Sequence, residues 1–324
     1  MVIQIKVLYI HKPNEVELEF LKKEGLEVSF HQHPQQTYEE WLEKEIINAD
    51  IIVVPPAHPF GKEFIGKAKS LKLIMVSGSG LDKIDIEEAS KRGIYVANAP
   101  DSIAEAVADH IIALILAHYR NIIKGEEYLR SGKWVGRIPS ELIGHTIHGK
   151  KIGIIGMGRI GAELAKRMIA FGAEVSYWDR KVKPEVEHLI NINRIELDKL
   201  LEESDIIAVT IALTPETKHL LNKERILKVK KGALIVNTSR GSVIDEQALI
   251  ERLKSGEIYA ALDVYETEPL PTSSPLLSMK NVILTPHIGG YSWEATKETS
   301  EYVARSIVEF AKEGKLPKTV VNRC

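Results

Sequence analysis

Three residues far apart in the chain have types and settings that could do chemistry together: Arg240 in Asn237-Thr238-Ser239-Arg240-Gly241, Glu268 in Glu266-Thr267-Glu268-Pro269, and His287 in Thr285-Pro286-His287-Ile288-Gly289-Gly290. An arginine's planar fork can bind a carboxylate through two parallel hydrogen bonds and polarise the adjacent carbonyl, which a lysine cannot do with that geometry. A histidine can donate the proton that a carbonyl oxygen needs as hydride arrives. A glutamate beside it favours the imidazolium and fixes the ring. Singly, each has a plainer reading: a surface arginine, an N-cap acid, a loop histidine. What sets them apart is position, because each lies just past a short run, residues 233–237, 257–262 and 281–284, that reads as a strand. The carboxyl ends of parallel strands converge on one crevice.

A hydride donor is legible upstream. Lys151-Ile152-Gly153-Ile154-Ile155 is a buried-strand run that breaks into Gly156-Met157-Gly158-Arg159-Ile160-Gly161 and then opens a helix. Gly156 allows the tight turn, Gly158 lets the backbone approach a pyrophosphate, and Gly161 lets the helix pack on the strand, while the helix amides from Arg159 and Ile160 onward face the anion. A second strand, residues 174–178, ends in Asp179, 18 residues beyond Gly161, where an acid can accept both ribose hydroxyls. An acid there favours NAD and disfavours the 2′-phosphate of NADP, although Arg180 and Lys181 offset part of that repulsion. Another adenosyl ligand, or a strand-to-helix turn with no ligand, is the alternative. Leu213, Thr214, Pro215 and Thr217 form a hydroxyl-rich turn after a third strand, suited to an adenine site, and Thr238 and Ser239 follow the fourth.

Stepping outward to the elements that position these residues, short apolar runs alternate with amphipathic stretches from the N-terminus onward, the pattern of parallel sheets covered by helices. Strands are expected at 6–10, 26–30, 50–54, 73–76 and 94–96, with helices at 15–23, 38–48, 63–70 and 84–91. Two loops follow strand ends in this first unit. One is Pro55-Pro56-Ala57-His58-Pro59, rigid and irregular. The other is Ser77-Gly78-Ser79-Gly80, whose open backbone amides suit a small anion; a plain turn is the alternative for both. Pro100, with Asp101 or Ser102 as cap, predicts a long helix running to about Arg130. Its centre, 107–117, is apolar nearly all round, so it could bridge two domains or meet a second copy of the chain. His110 and His118, two turns apart on it, read as packing or polar contacts. The second unit is expected to hold six strands, and residues 292–313 read as a helix that returns to the first domain.

Bulk properties narrow the function classes. A chain of 324 residues suits two domains, and a net charge of −2 leaves no broad basic surface for nucleic acid or an anionic membrane. The N-terminal run has no basic leader or small-residue cleavage site and reads as a strand rather than a signal peptide. The longest apolar run, 111–117, is far short of the roughly 20 residues that span a bilayer. One cysteine, Cys324, allows no intrachain disulfide and suits a reducing cytoplasm. No metal site is expected: His31 and His33 have no carboxylate at useful spacing and read as a solvated loop.

The ordered set of motifs resembles the D-isomer-specific 2-hydroxy acid dehydrogenases. It comprises Gly156-x-Gly158-x-x-Gly161, Asn237-Thr238-Ser239-Arg240-Gly241-x-x-x-Asp245, Leu262-Asp263-Val264-x-Glu266-x-Glu268-Pro269 and Pro286-His287-Ile288-Gly289, with Ser79-Gly80-Leu81-Asp82-x-Ile84-Asp85 and Ala106-Val107-Ala108-Asp109-His110 in the first part of the chain. The resemblance implies a two-domain α/β subunit. A flavodoxin-like substrate domain, 1–100 plus 291–324, would carry an inserted Rossmann-type NAD-binding domain, 101–290, with parallel sheets in both and an active site in the cleft. It implies a homodimer with the long helix region in the interface. It makes Arg240 the carboxylate binder, His287 the acid/base and Glu268 its partner. Asp263 would hold the nicotinamide carboxamide, Gly289 and Gly290 would lie beside the cofactor, and the amides of Ser77 to Gly80 would meet the substrate carboxylate. Without a cation in the Ser77–Gly80 loop, the substrate is expected to be a small 2-oxoacid such as glyoxylate or hydroxypyruvate, although Lys62 and His58 keep a D-3-phosphoglycerate dehydrogenase as the alternative. A more remote alternative is an NAD(H)-sensing, corepressor-like binding protein, which would need a peptide-docking surface.

Overall fold

The computed structural model describes residues 5–32, 37–99 and 103–322. The chain divides into two compact units, Met1–Ile103 with Ser292–Cys324, and Ala104–Tyr291.

In the first unit β1 (Lys6–Tyr9), α1 (Glu15–Lys23), β2 (Glu27–Phe30), α2 (Tyr38–Glu45), β3 (Ile51–Val54), α3 (Lys62–Lys67), β4 (Leu73–Val76), α4 (Ile86–Lys91) and β5 (Tyr95–Ala97) alternate. The strands form one parallel sheet in the order β2-β1-β3-β4-β5, the flavodoxin-like winding. Every residue of β3 and β4 is buried, which is why both read as unbroken apolar runs instead of alternating ones. Leu8, Ile52, Val54, Ile74 and Val76 pack on one side with Trp41, Leu42 and Ile65 from the helices. Val7, Tyr9, Ile51, Val53 and Met75 pack on the other with Leu21 and with Val303, Ala304 and Ile307 of the C-terminal helix, Trp293–Glu313, which is capped by Ser292. His31 is no solvated loop residue, because its ring lies 5.5 Å from that of Trp41.

The second unit runs α5 (Ala104–Tyr119), α6 (Ile122–Arg130), β6 (Lys151–Ile155), α7 (Arg159–Ala170), β7 (Glu174–Trp178), α8 (Pro184–Ile190), β8 (Asn193–Arg194), α9 (Leu197–Glu203), β9 (Ile206–Val209), α10 (Lys223–Lys228), β10 (Leu234–Asn237), α11 (Glu246–Lys254), β11 (Tyr259–Leu262) and β12 (Val282–Leu284). Its parallel sheet has the order β12-β11-β10-β9-β6-β7-β8, the Rossmann winding with one strand added beyond the usual six. Seven strands therefore replace the six expected. The strand without a sequence signal is β8, two residues at the sheet edge, too short to show a period.

The helix expected to run unbroken to Arg130 is two helices bent by 59°. Asn121 sits at φ 50° between them. Its amide group bridges the carbonyls of Glu141 and Ile143, while the Tyr119 carbonyl accepts the His145 N–H at 2.7 Å instead of continuing the helical ladder. α5 lies against α7 and buries Val107, Ala108, Ile111, Ile112, Leu114 and Ile115, which accounts for its apolar circumference. The caps assigned to Asp101 and Ser102, and His33, lie outside the described residues. Among the described residues no single helix is long and apolar enough to cross a membrane.

Candidate active site

The three chemically suited residues come together in the second unit because consecutive strands deliver them. β10, β11 and β12 are neighbours in register, with Asn237 opposite Leu262 and Leu262 opposite Leu284. At the end of β10, the buried Asn237 takes the Ser239 N–H and hydroxyl on Oδ1, at 3.0 and 2.8 Å, and donates Nδ2 to the Arg240 carbonyl. This Asx turn presents the half-buried Arg240, whose Nη1 donates to the Ser239 carbonyl. The next residue must be glycine: a Cβ on Gly241 would strike the Tyr265 carbonyl group of the loop that carries Glu268.

Glu268 and His287 form a close pair, with Nδ1 2.7 Å from Oε2. The other glutamate oxygen accepts the Tyr265 N–H at 3.0 Å, so the carboxylate is aimed from both sides. Burial pushes the Glu268 carboxyl up, but the His287 hydrogen bond, the Tyr265 amide and the charges of His287 and Arg240 outweigh it and hold the group below its ordinary range. Glu268 is therefore ionised when His287 is protonated. Because Nδ1 faces the carboxylate, Nε2 is the nitrogen left to meet a ligand, and it has no partner among the described residues.

His287 itself sits at φ 55°, a left-handed conformation that disfavours a side chain by roughly 1 kcal/mol. Asp263, 1% exposed, holds the turn in place. Its Oδ1 accepts the Thr285 hydroxyl at 2.6 Å and the Ile288 N–H at 2.8 Å, and its Oδ2 accepts the Gly289 N–H at 2.8 Å. Burial raises this carboxyl, yet His110, Thr285 and the two amides together bring it below its ordinary range. A side chain on Gly289 would put a Cβ 2.9 Å from Oδ2 and disturb the clamp. The Tyr265 hydroxyl, 2.9 Å from the Thr285 carbonyl, braces the same turn. Tyr265 and Thr285 carry no chemical signal in the sequence, and the polar contact expected of His110 falls on Thr285 and Asp263.

Glu266, two residues from Glu268, faces elsewhere. Its Oε1 lies 2.7 Å from His219 Nε2, and its N–H donates to Glu246 at the start of α11. The geometry thus separates two glutamates that the sequence leaves adjacent.

The glycine turn has the form a dinucleotide needs. Gly156 lies at φ 103° with Ile211 backbone 2.6 Å from where a Cβ would be, and a Cβ on Gly161 would strike the Gly156 carbonyl. A Cβ on Gly158 would meet nothing within 4 Å, and Gly158 caps α7 without any side-chain acceptor. The helix therefore begins with open space over its positive end. Asp179, at the end of β7, accepts the Met157 N–H of this turn at 2.9 Å, and Arg180 lies 3.7 Å from Glu216. In the turn after β9, Thr217 is buried and donates its hydroxyl to the Ala212 carbonyl, while the Thr214 N–H donates to that hydroxyl. Leu213 is half-buried and Pro215 exposed at the rim of that turn. Thr238 Oγ1, just past β10, is buried without a hydrogen-bond partner. An open helix N-terminus, room beside Gly158 and an orphaned hydroxyl fit a dinucleotide laid across the strand ends.

In the first unit, the Asn98 amide donates to the Ser79 carbonyl at 2.8 Å, and a Cβ on Gly78 would strike the Pro56 ring. The two loops flagged there thus support one another, and neither Ser77 nor Gly80 is buried.

The sequence profile of the D-isomer specific 2-hydroxyacid dehydrogenase NAD binding domain matches residues 112–289. The glyoxylate reductase of Pyrococcus horikoshii is 41% identical over 323 residues, 98% of this chain and 96% of that one. A glyoxylate reductase structure from Paecilomyes thermophila superposes with a TM-score of 0.87 at 32% identity, covering 99% of both chains. The D-lactate dehydrogenase of Aquifex aeolicus, complexed with NAD and lactic acid, does so with a TM-score of 0.84 at 28% identity, covering 95% of this chain and 96% of that one.

Proposed function

Since the chain belongs to the D-isomer-specific 2-hydroxyacid dehydrogenases, NAD-dependent oxidoreductases acting on small 2-oxoacids and their D-2-hydroxy acids, we propose that its substrate is glyoxylate or hydroxypyruvate. The observation that carries this reading is the Glu268–His287 pair beside Arg240 at three adjacent strand ends. The glyoxylate reductase relatives support the substrate.

Gly156, Gly158 and Gly161, with the first amides of α7, would hold the pyrophosphate, Asp179 the ribose, and Thr238 and the turn at 213–217 the adenosine side. When bound, the nicotinamide supplies the hydride. Arg240 binds the substrate carboxylate through its fork and polarises the neighbouring carbonyl. His287 gives the proton on Nε2 to the carbonyl oxygen, and Glu268 keeps the ring oriented and the imidazolium favoured throughout. Asp263 keeps the turn behind His287 fixed and retains a lone pair on Oδ2 for the nicotinamide amide. Within the first unit, the amides of Ser79 and Gly80 are given a carboxylate to hold. The protein is read as a homodimer, supported by the exposed Ile122, Leu129, Trp134, Val135 and Ile143 in and just after α6.

The test is NADH oxidation with glyoxylate, hydroxypyruvate, pyruvate and phosphohydroxypyruvate side by side, repeated with NADPH, on protein whose mass is measured by sedimentation. We expect kcat/KM for glyoxylate or hydroxypyruvate to exceed that for the phosphorylated compound by about tenfold or more, with NADH preferred and a dimer in solution. Preference for phosphohydroxypyruvate would overturn the substrate, and NADH binding without turnover on any of the four would overturn the enzymatic reading.

A further inference from the structure

We propose that His110, on α5, is a positioning residue for the catalytic histidine, acting through Thr285 and Asp263. The proposal rests on the reading of His287 as proton donor. His110 Nε2 lies 3.1 Å from Thr285 Oγ1 and 3.5 Å from Asp263 Oδ1. A threonine hydroxyl has one proton, and at 2.6 Å that proton belongs to the Asp263 carboxylate. Thr285 Oγ1 can then only accept from the imidazole. The direction of the whole chain follows: His110 Nε2–H donates to Thr285, Thr285 donates to Asp263, and Asp263 receives the amides of Ile288 and Gly289 on either side. The tautomer of His110 is fixed with the proton on Nε2.

The need for such a chain is electrostatic. Asp263 is 1% exposed, and no lysine or arginine pairs with it among the described residues. A buried carboxylate without a cation must be compensated by hydrogen bonds, and each donor lost leaves a large desolvation penalty exposed. Thr285 supplies one donor only while its own oxygen is oriented by His110. Without that restraint the hydroxyl can rotate away, Oδ1 keeps a single amide, and the turn that holds His287 at φ 55° loses its brace. His110 touches neither Glu268 nor His287, so its effect should appear in the geometry of the proton donor and leave the glycine turn alone.

Four variants of the full-length protein test this. In His110→Gln, the amide nitrogen stands the same number of bonds from Cβ as the imidazole Nε2 and can still donate; His110→Ala cannot. Thr285→Ser keeps the hydroxyl and Thr285→Val removes it. We expect His110→Ala and Thr285→Val each to lower kcat for glyoxylate by about tenfold to a hundredfold, with the NADH dissociation constant, read by fluorescence, changed by a smaller factor than kcat. Both Gln and Ser variants should recover most of the rate. The double variant His110→Ala/Thr285→Val should be no slower than either single one, because both break one chain. Amide exchange at Ile288 and Gly289 gives a readout independent of turnover, and it should speed up in His110→Ala and stay near wild type in His110→Gln. Unchanged exchange in His110→Ala, or equal losses in the Ala and Gln variants, overturns the proposal. A wild-type protein that turns over no 2-oxoacid would break the proposed function, while exchange still decides this one.

Discussion

The second unit contains two histidine–glutamate pairs that look alike in isolation. His287–Glu268 and His219–Glu266 are both 2.7 Å apart, both histidines lie at left-handed φ, 55° and 49°, and the glutamates are two residues apart on one loop. They differ in which ring nitrogen is used. His287 turns its inner nitrogen, Nδ1, to the carboxylate and keeps the outer one for a ligand, whereas His219 uses its outer nitrogen, Nε2, on Glu266. They differ also in company. The charge of Arg240 reaches Glu268, while Glu266 meets Glu246, whose carboxyl is raised chiefly by burial and also by the charge of Glu266. One pair keeps a ring nitrogen for the proposed reaction, and the glutamate of the other ties the loop to the start of α11. A short contact between these residue types does not by itself make a catalytic dyad; the spare nitrogen and the neighbouring charges are what set the two pairs apart.

The strongest way to break this contrast is to remove each histidine. His287→Ala should lower kcat for reduction by about 10²–10⁴-fold with little change in NADH affinity, and His219→Ala by less than about tenfold, both read in steady-state assays. Equal losses would mean that both pairs serve the reaction.

A smaller and sharper effect concerns pH. In the proposed reaction reduction uses the imidazolium, so the rate is expected to fall as pH rises. The Glu268 carboxyl, held below its ordinary range, stays ionised on the acid side and supports that form. Glu268→Gln removes the charge, destabilises the imidazolium and should move the alkaline limb of the kcat/KM profile to lower pH by about 1 unit. In Glu266→Gln the limb should stay in place. A shift in the second variant would show that the two carboxylates act as one electrostatic unit.

The smallest effect is on stability and runs the other way. His219→Ala removes a half-exposed histidine–carboxylate hydrogen bond and should lower Tm by about 2 °C, while His287→Ala should leave it nearly unchanged. If calorimetry finds His287→Ala the more damaging, the turn clamped by Asp263 is a stability element as well as a catalytic one.

Much of this molecule was legible before the structure. β4, β7 and α1 have the bounds read from apolar period alone, and the glycine turn announces itself through a strand, three spaced glycines and an acid at the next strand end. Arg240, Glu268 and His287 stand out because they lie in the loops that leave three apolar strands at their carboxyl ends. The break at Asn121 was not legible, because residues 119–122 hold neither glycine nor proline and the kink depends on carbonyls about 20 residues downstream. The choice of Glu268 over Glu266 as the partner of His287 came from the family resemblance and not from spacing, because it turns on the direction in which one loop leaves β11.

The sequence by itself determined the elements, the sheets' parallel character, the cofactor turn and the residue types of the site, since these depend on spacing along the chain and on local backbone preference. Only the tertiary structure decided that His110 stands against Thr285, 175 residues away. It decided too that Asp263 gathers the amides behind His287, and that one histidine of two keeps a nitrogen free. Those contacts depend on strand order and register, which bring together residues whose separation in sequence leaves no periodic trace.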